Sequence, residues 1–171
     1  MRSPFTARPD GTIDVRLSEV EAQTVRRVAA DMGEALAHTD EPSMHRLFPP
    51  AYPEDAGRQE EFARFTRDEL LAGKRAAIEA VIGSIDEGGA KRGKFATILD
   101  DETAGCWLRV LNDARLVLGT RLDISEEEEH RPLPADHLRA PAMNLYLYLS
   151  GLTELLVEAL AEQLPPADHP I

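Results

Sequence analysis

WLRVLNDARLVLGTRL, running from Trp107 to Leu122, is the stretch whose reading decides the fold. With Ala104 ahead of it, Trp107, Leu108, Leu111, Leu118 and Leu122 recur at helical spacing and form one apolar face. A face that long needs other helices to cover it. Upstream, Asp100 or Asp101 is a suitable N-cap. Before the cap, Lys94-Phe-Ala-Thr-Ile-Leu99 alternates like a short strand.

Further upstream the same order appears again. Ile13, Val15 and Leu17 alternate with polar residues, and Ser18-x-x-Glu21 has the form of a capping box. The helix that follows should bury Val25, Val28, Ala29, Met32 and Leu36. Strand, cap and helix at 12–36 thus echo 94–118, and the two strands are expected to pair as a small ribbon. Between these units, 38–53 reads as a proline-rich loop. A shorter helix should hold Phe62 and Phe65. A second capping box, Thr66-x-x-Glu69, should open another helix with Leu70, Leu71, Ile78, Val81, Ile82 and Ile85 on one face.

Downstream, residues 123–139 read as an exposed acidic linker containing Glu126 to Glu129. Pro141 suits the first residue of a final helix. Leu145, Tyr148, Leu149, Leu152, Leu156, Ala159 and Leu160 give that helix its apolar face, Tyr146 and Leu147 widen it, and Pro165 ends it. The expected fold is mainly α: a single-domain helical bundle over residues 1–171, of about five helices, with at most a small two-stranded ribbon.

Composition narrows the functional classes. The chain has 171 residues, 43% hydrophobic and 29% charged, which suits a folded domain. One cysteine, Cys106, allows no internal disulfide and fits a reducing cytoplasm. The N-terminal residues lack the apolar stretch of a signal peptide, and the longest uncharged run, Ala140 to Thr153, is too short to span a bilayer. A cytoplasmic protein without membrane contact is expected. The net charge of −12 is concentrated in residues 123–171 and opposes contact with nucleic acid unless cations gather on one face.

Candidate chemistry is sparse. Gly88 to Lys94 has the Gly-x4-Gly-Lys frame of a phosphate loop, but Phe95 stands where magnesium needs a hydroxyl, and helix and strand flank it in reversed order. It reads as a flexible basic connector, with no nucleotide bound. Lys74 and Arg115 interrupt apolar stripes. Each is either part of an anion or partner site or a buried stem whose charged head reaches a carboxylate. Arg64, Arg67, Lys74, Arg75, Lys91, Arg92 and Lys94 form the basic cluster where DNA or an acidic partner would bind. Cys106, placed opposite the apolar stripe, is either a redox thiol or an unreactive small residue. A helix N-terminus and Arg109 would lower its pKa, while Asp101 and Glu102 would raise it. The five histidines, 38, 45, 130, 137 and 169, sit in expected loops without ligand spacing, so neither a metal nor another cofactor is expected. No catalytic arrangement can be nominated, which points away from an enzyme.

Three segments carry a resemblance: RLFPPAY (Arg46 to Tyr52), FTRDELLAGKRAAIEAV (Phe65 to Val81) and WLRVLNDARLVLGTRL. Together they resemble an actinobacterial domain-of-unknown-function family encoded near the ClpS adaptor, the AosR-like oxidative-stress transcriptional regulators. The resemblance covers most of the chain, and its motifs are packing and loop motifs. It implies a cytoplasmic, non-enzymatic regulator of redox-responsive transcription with cysteine oxidation as the sensing chemistry. With Cys106 alone, a sulfenic acid, a mixed disulfide or a Cys106–Cys106 dimer would have to serve. Net acidity and the lack of a clear helix-turn-helix weigh against direct DNA binding. The alternative is a helical protein–protein interaction module linked to proteolysis adaptors, without DNA binding, through a protein partner or self-association.

Overall fold

The computed structural model describes residues 3–38, 41–49, 54–124 and 133–163. Its elements in chain order are β1 (Phe5–Ala7), β2 (Ile13–Ser18), α1 (Glu19–Ala35), α2 (Pro42–His45), α3 (Ala56–Glu87), β3 (Gly89–Lys91), β4 (Lys94–Leu99), α4 (Asp101–Leu122) and α5 (Ala140–Ala161). The chain is mainly helical. Its sheet, however, has four antiparallel strands in the order β1-β2-β4-β3, twice the expected ribbon. β2 and β4 pair as the alternation suggested, from Ile13 opposite Leu99 to Ser18 opposite Lys94. The added edge strands are three residues each, too short to show a period.

β3 and β4 form a tight hairpin through Arg92 and Gly93, both with positive φ. The basic segment is therefore a structured hairpin and not a flexible connector. Ile13, Val15, Leu17, Phe95 and Leu99 turn one sheet face into the core, while Arg16, Ala96 and Ile98 look outward. Burying apolar side chains on one sheet face is what holds the register, because a one-residue slip would turn all of them to water.

The two strand–helix units are capped as expected. The Ser18 hydroxyl accepts from the Glu21 N–H at 3.1 Å, and the Glu21 carboxylate accepts from the Ser18 N–H at 2.7 Å. Asp100 accepts from the Thr103 N–H at 2.8 Å. All five residues expected on the buried face of the helix after Ser18 are buried. Trp107 is the largest fully buried side chain. Its indole N–H donates to Ser84 Oγ at 2.9 Å, and Phe5 meets it edge-on at 6.1 Å. Val110, Ala114 and Val117 are buried on α4, whereas Leu108 and Leu118 are only partly so.

Four further expectations need correction. The two helices proposed for 56–87 are one, α3, because no residue between Phe62 and Thr66 breaks a helix. Thr66 does not cap; its hydroxyl donates to the Phe62 carbonyl inside the helix at 2.8 Å. The loop at 38–53 contains α2, which begins at Pro42 and buries Met44. The final helix starts at Ala140, one residue before Pro141, and Arg139 donates to the Leu122 carbonyl at 3.0 Å, closing the C-terminal end of α4. Glu126 to Glu129, Pro165, His130 and His169 lie outside the described residues.

Candidate functional site

α3 and α4 run antiparallel: Lys74 stands opposite Asp113, and Ser84 opposite Trp107. Beside their contact is an open groove of about 560 Å³, lined by Phe62, Thr66, Glu69, Leu70, Gly73, Lys74 and Arg109. Its walls mix apolar side chains with one carboxylate and two cations. That composition suits a peptide or helix face better than a small polar metabolite.

Lys74 does not offer its charge to this groove unopposed. Its Nζ lies 2.7 Å from Asp113 Oδ2, and both side chains are mostly buried. The same ammonium sits 5.9 Å from the centre of the Phe48 ring. Lys74 therefore matches the buried-stem reading, its head neutralised by a carboxylate. Arg115 Nη2 donates to Asn112 Oδ1 at 3.2 Å, again within the α4 surface. Asp113 was not anticipated from sequence. It lies one turn after Val110, where only the antiparallel packing of α3 reveals its partner.

The other cations are spread out. Arg64, Arg67 and Arg75 lie along α3, whereas Lys91, Arg92 and Lys94 occupy the hairpin beyond its C-terminal end. From Arg64 to Glu87 the helix rises about 35 Å. Arg64 lies over Phe65 at 5.4 Å and Arg67 over Phe48 at 5.9 Å. The residues that form one basic cluster in sequence are thus strung along α3, from Arg64 and Arg67 through Lys74 and Arg75 at its middle to the hairpin beyond its C-terminal end.

Cys106 lies in the second turn of α4. It is not opposite the buried face, as expected, but partly buried and packed against the core. Burial pushes its pKa up. Glu102 and Asp100 push the same way, and Arg109 opposes them. The raising carboxylates are thus Asp100 and Glu102, with Asp100 in place of the expected Asp101. The thiolate is the reactive form, so this environment slows the thiol. Arg109 links the thiol to the groove, since it influences the one and lines the other.

Among the described residues no group of three His, Cys, Asp or Glu side chains is placed to hold a metal ion. No helix among them is long and apolar enough to cross a membrane.

The family model described as "Domain of unknown function (DUF2017)" matches residues 1–160. Proteins named "Oxidative stress regulator AosR" from Mycobacterium tuberculosis and Mycobacterium bovis are each 26% identical over 160 residues, covering 86% of this chain and 71% of their own. A Mycobacterium leprae protein is 31% identical over 134 residues, covering 71% of this chain and 59% of its own. No solved structure matches the chain. The match to the family model over nearly the whole length places this chain in the AosR-like DUF2017 family.

Proposed function

We propose that this chain is a cytoplasmic regulator of an oxidative-stress response, without enzymatic activity, that acts on transcription through protein contacts. The names of its mycobacterial relatives motivate the regulatory part. The observation that carries the choice of protein over DNA is the placement of its cations. Phosphate binding gains affinity by neutralising several phosphates at once, so it needs cations on one face. Here Arg64 and Arg67 are separated from the Lys91–Lys94 hairpin by most of α3, Lys74 is paired with Asp113, and the net charge is −12. The mixed apolar and charged groove between α3 and α4 is the surface such contacts would use.

Redox sensing at Cys106 is the second reading, favoured by one feature. Arg109 acts on the thiol electrostatically and lines the groove, so a sulfenic acid or mixed disulfide at Cys106 would change the surroundings of a groove wall.

The test is affinity capture from native cytoplasm with and without peroxide, alongside a gel shift at about 0.15 M salt. Co-purification of transcription proteins without a gel shift supports the proposal. A gel shift that persists at that salt and is lost when Arg64 and Arg67 are neutralised overturns it. Peroxide dependence that disappears in Cys106→Ser supports the second reading, and identical behaviour of the two proteins sinks it.

A further inference from the structure

We propose that the outward stripe of α3, formed by Arg58, Phe62, Phe65 and Glu69, pairs antiparallel with the same stripe of a second copy of this chain. This goes beyond the regulatory reading; Phe62 and Glu69 also line the groove assigned to protein contacts, so the pair would cover part of that groove.

The stripe follows from helical geometry. α3 meets the body through Leu71, Lys74, Ile78, Val81 and Ile85. At 3.6 residues per turn, Arg58, Phe62, Phe65 and Glu69 fall within a stripe about 60° wide on the opposite side of the helix. Phe65 is 66% exposed and Phe62 38%. Two phenylalanines on adjacent turns therefore face away from the core. α4 ends at Leu122, and with Asp113 opposite Lys74 that end lies level with about Phe65. Among the described residues, the first turns of α3 run beyond the end of α4.

Charge selects the occupant. Arg58 precedes Phe62 by four residues, and Glu69 follows Phe65 by four. The stripe thus reads as cation, aromatic, aromatic, anion, and inverting its direction inverts its signs. A parallel copy would set Arg58 on Arg58 and Glu69 on Glu69. An antiparallel copy, related by a two-fold axis passing between residues 63 and 64, sets Phe62 on Phe65 of the second copy. It sets Arg58 beside Glu69 of the second copy, and symmetry repeats both contacts. Arg58 also approaches Asp55 of its own chain at 4.0 Å, so in the pair its guanidinium would be shared between Asp55 and Glu69 of the second copy. A single pair of short helices sits at the low end of specific interface sizes, about 1,000 Å² in total, so the dimer should depend on concentration.

Sedimentation velocity of the full chain in a Cys106→Ser background, which removes thiol-linked dimers, tests this. Measured from about 1 µM to about 300 µM, the mass should rise from monomer to dimer. Phe65→Glu should raise the dissociation constant at least about tenfold, with an unchanged melting temperature. Arg58→Glu and Glu69→Arg should each weaken the dimer, and the double variant should recover it to within about threefold of the parent. A monomer at every concentration overturns the proposal, even if Phe65 then proves to bind another protein. So does a dimer that Phe65→Glu leaves intact, or a double variant weaker than either single one.

Discussion

Lys74 Nζ lies 2.7 Å from Asp113 Oδ2, with the side chains only 14% and 13% exposed, and this pair joins α3 to α4 beside the groove. The lysine interrupts an apolar stripe that would otherwise continue from Leu71 to Ile78. Its aliphatic stem packs where a leucine would sit, while its ammonium is matched across the helix contact.

Removing one member of that pair leaves the other charge mostly buried without its partner. Lys74→Met or Asp113→Leu alone should each cost about 3 kcal/mol. The double variant Lys74→Met/Asp113→Leu should cost clearly less than the sum, since an apolar pair fits the same space. Urea unfolding of the four proteins measures this. Additive losses would show that the two charges do not interact.

Gly88 illustrates a different constraint. A Cβ built there would land on the Phe95 ring, which is buried in the sheet–helix core. Gly88→Ala should therefore destabilise by about 1–3 kcal/mol through overpacking. Gly105, exposed on α4, meets nothing within 4 Å, and Gly105→Ala should stabilise by up to about 1 kcal/mol. Opposite signs in thermal melts are the expected outcome; a stabilising Gly88→Ala would contradict this packing.

Stability should fall at both ends of the pH scale. The Ser18 hydroxyl and N–H hold Glu21 below its ordinary 4.5, and the Thr103 hydroxyl and N–H hold Asp100 below 3.8. Their folded pKa values are depressed, so their contribution is complete above those ordinary values and is lost as pH falls through the lower folded ones. Tyr148 behaves in the opposite sense. Its hydroxyl lies near the Glu21 carboxylate without hydrogen-bond geometry, and burial together with that charge raises its pKa above 10.0. Its contribution is complete below pH 10.0 and declines as pH rises further. Urea midpoints across pH should show both limbs. Ser18→Ala should cost about 1 kcal/mol at neutral pH and shrink the acid limb. Tyr148→Phe should shrink the alkaline limb at little cost in stability. An unaltered alkaline limb in that variant would remove Tyr148 as its source.

Cys106 should react slowly. Burial raises its pKa, with Glu102 and Asp100 adding and Arg109 opposing. At pH 7 its rate with an aromatic disulfide should be below that of an unstructured cysteine peptide. Glu102→Gln should speed the reaction, and Arg109→Gln should slow it. A thiol faster than the peptide would overturn this account of its environment.

Much of this was legible in the sequence because it is local. The caps at Ser18 and Asp100 need only residues three positions apart, and alternation over 13–17 and 94–99 marks two strands by period alone. The buried face of α1 follows from spacing in the same way. Tertiary structure decided what depends on residues far apart. The edge strands β1 and β3 exist because β2 and β4 offer them hydrogen-bonding edges, and three residues carry no period of their own. Asp113 becomes the partner of Lys74 only when antiparallel packing brings together positions 39 apart. The basic residues look like one cluster in sequence because the chain is read in one dimension. A single uninterrupted α3 spreads them along its length, since helix rise converts sequence separation into distance.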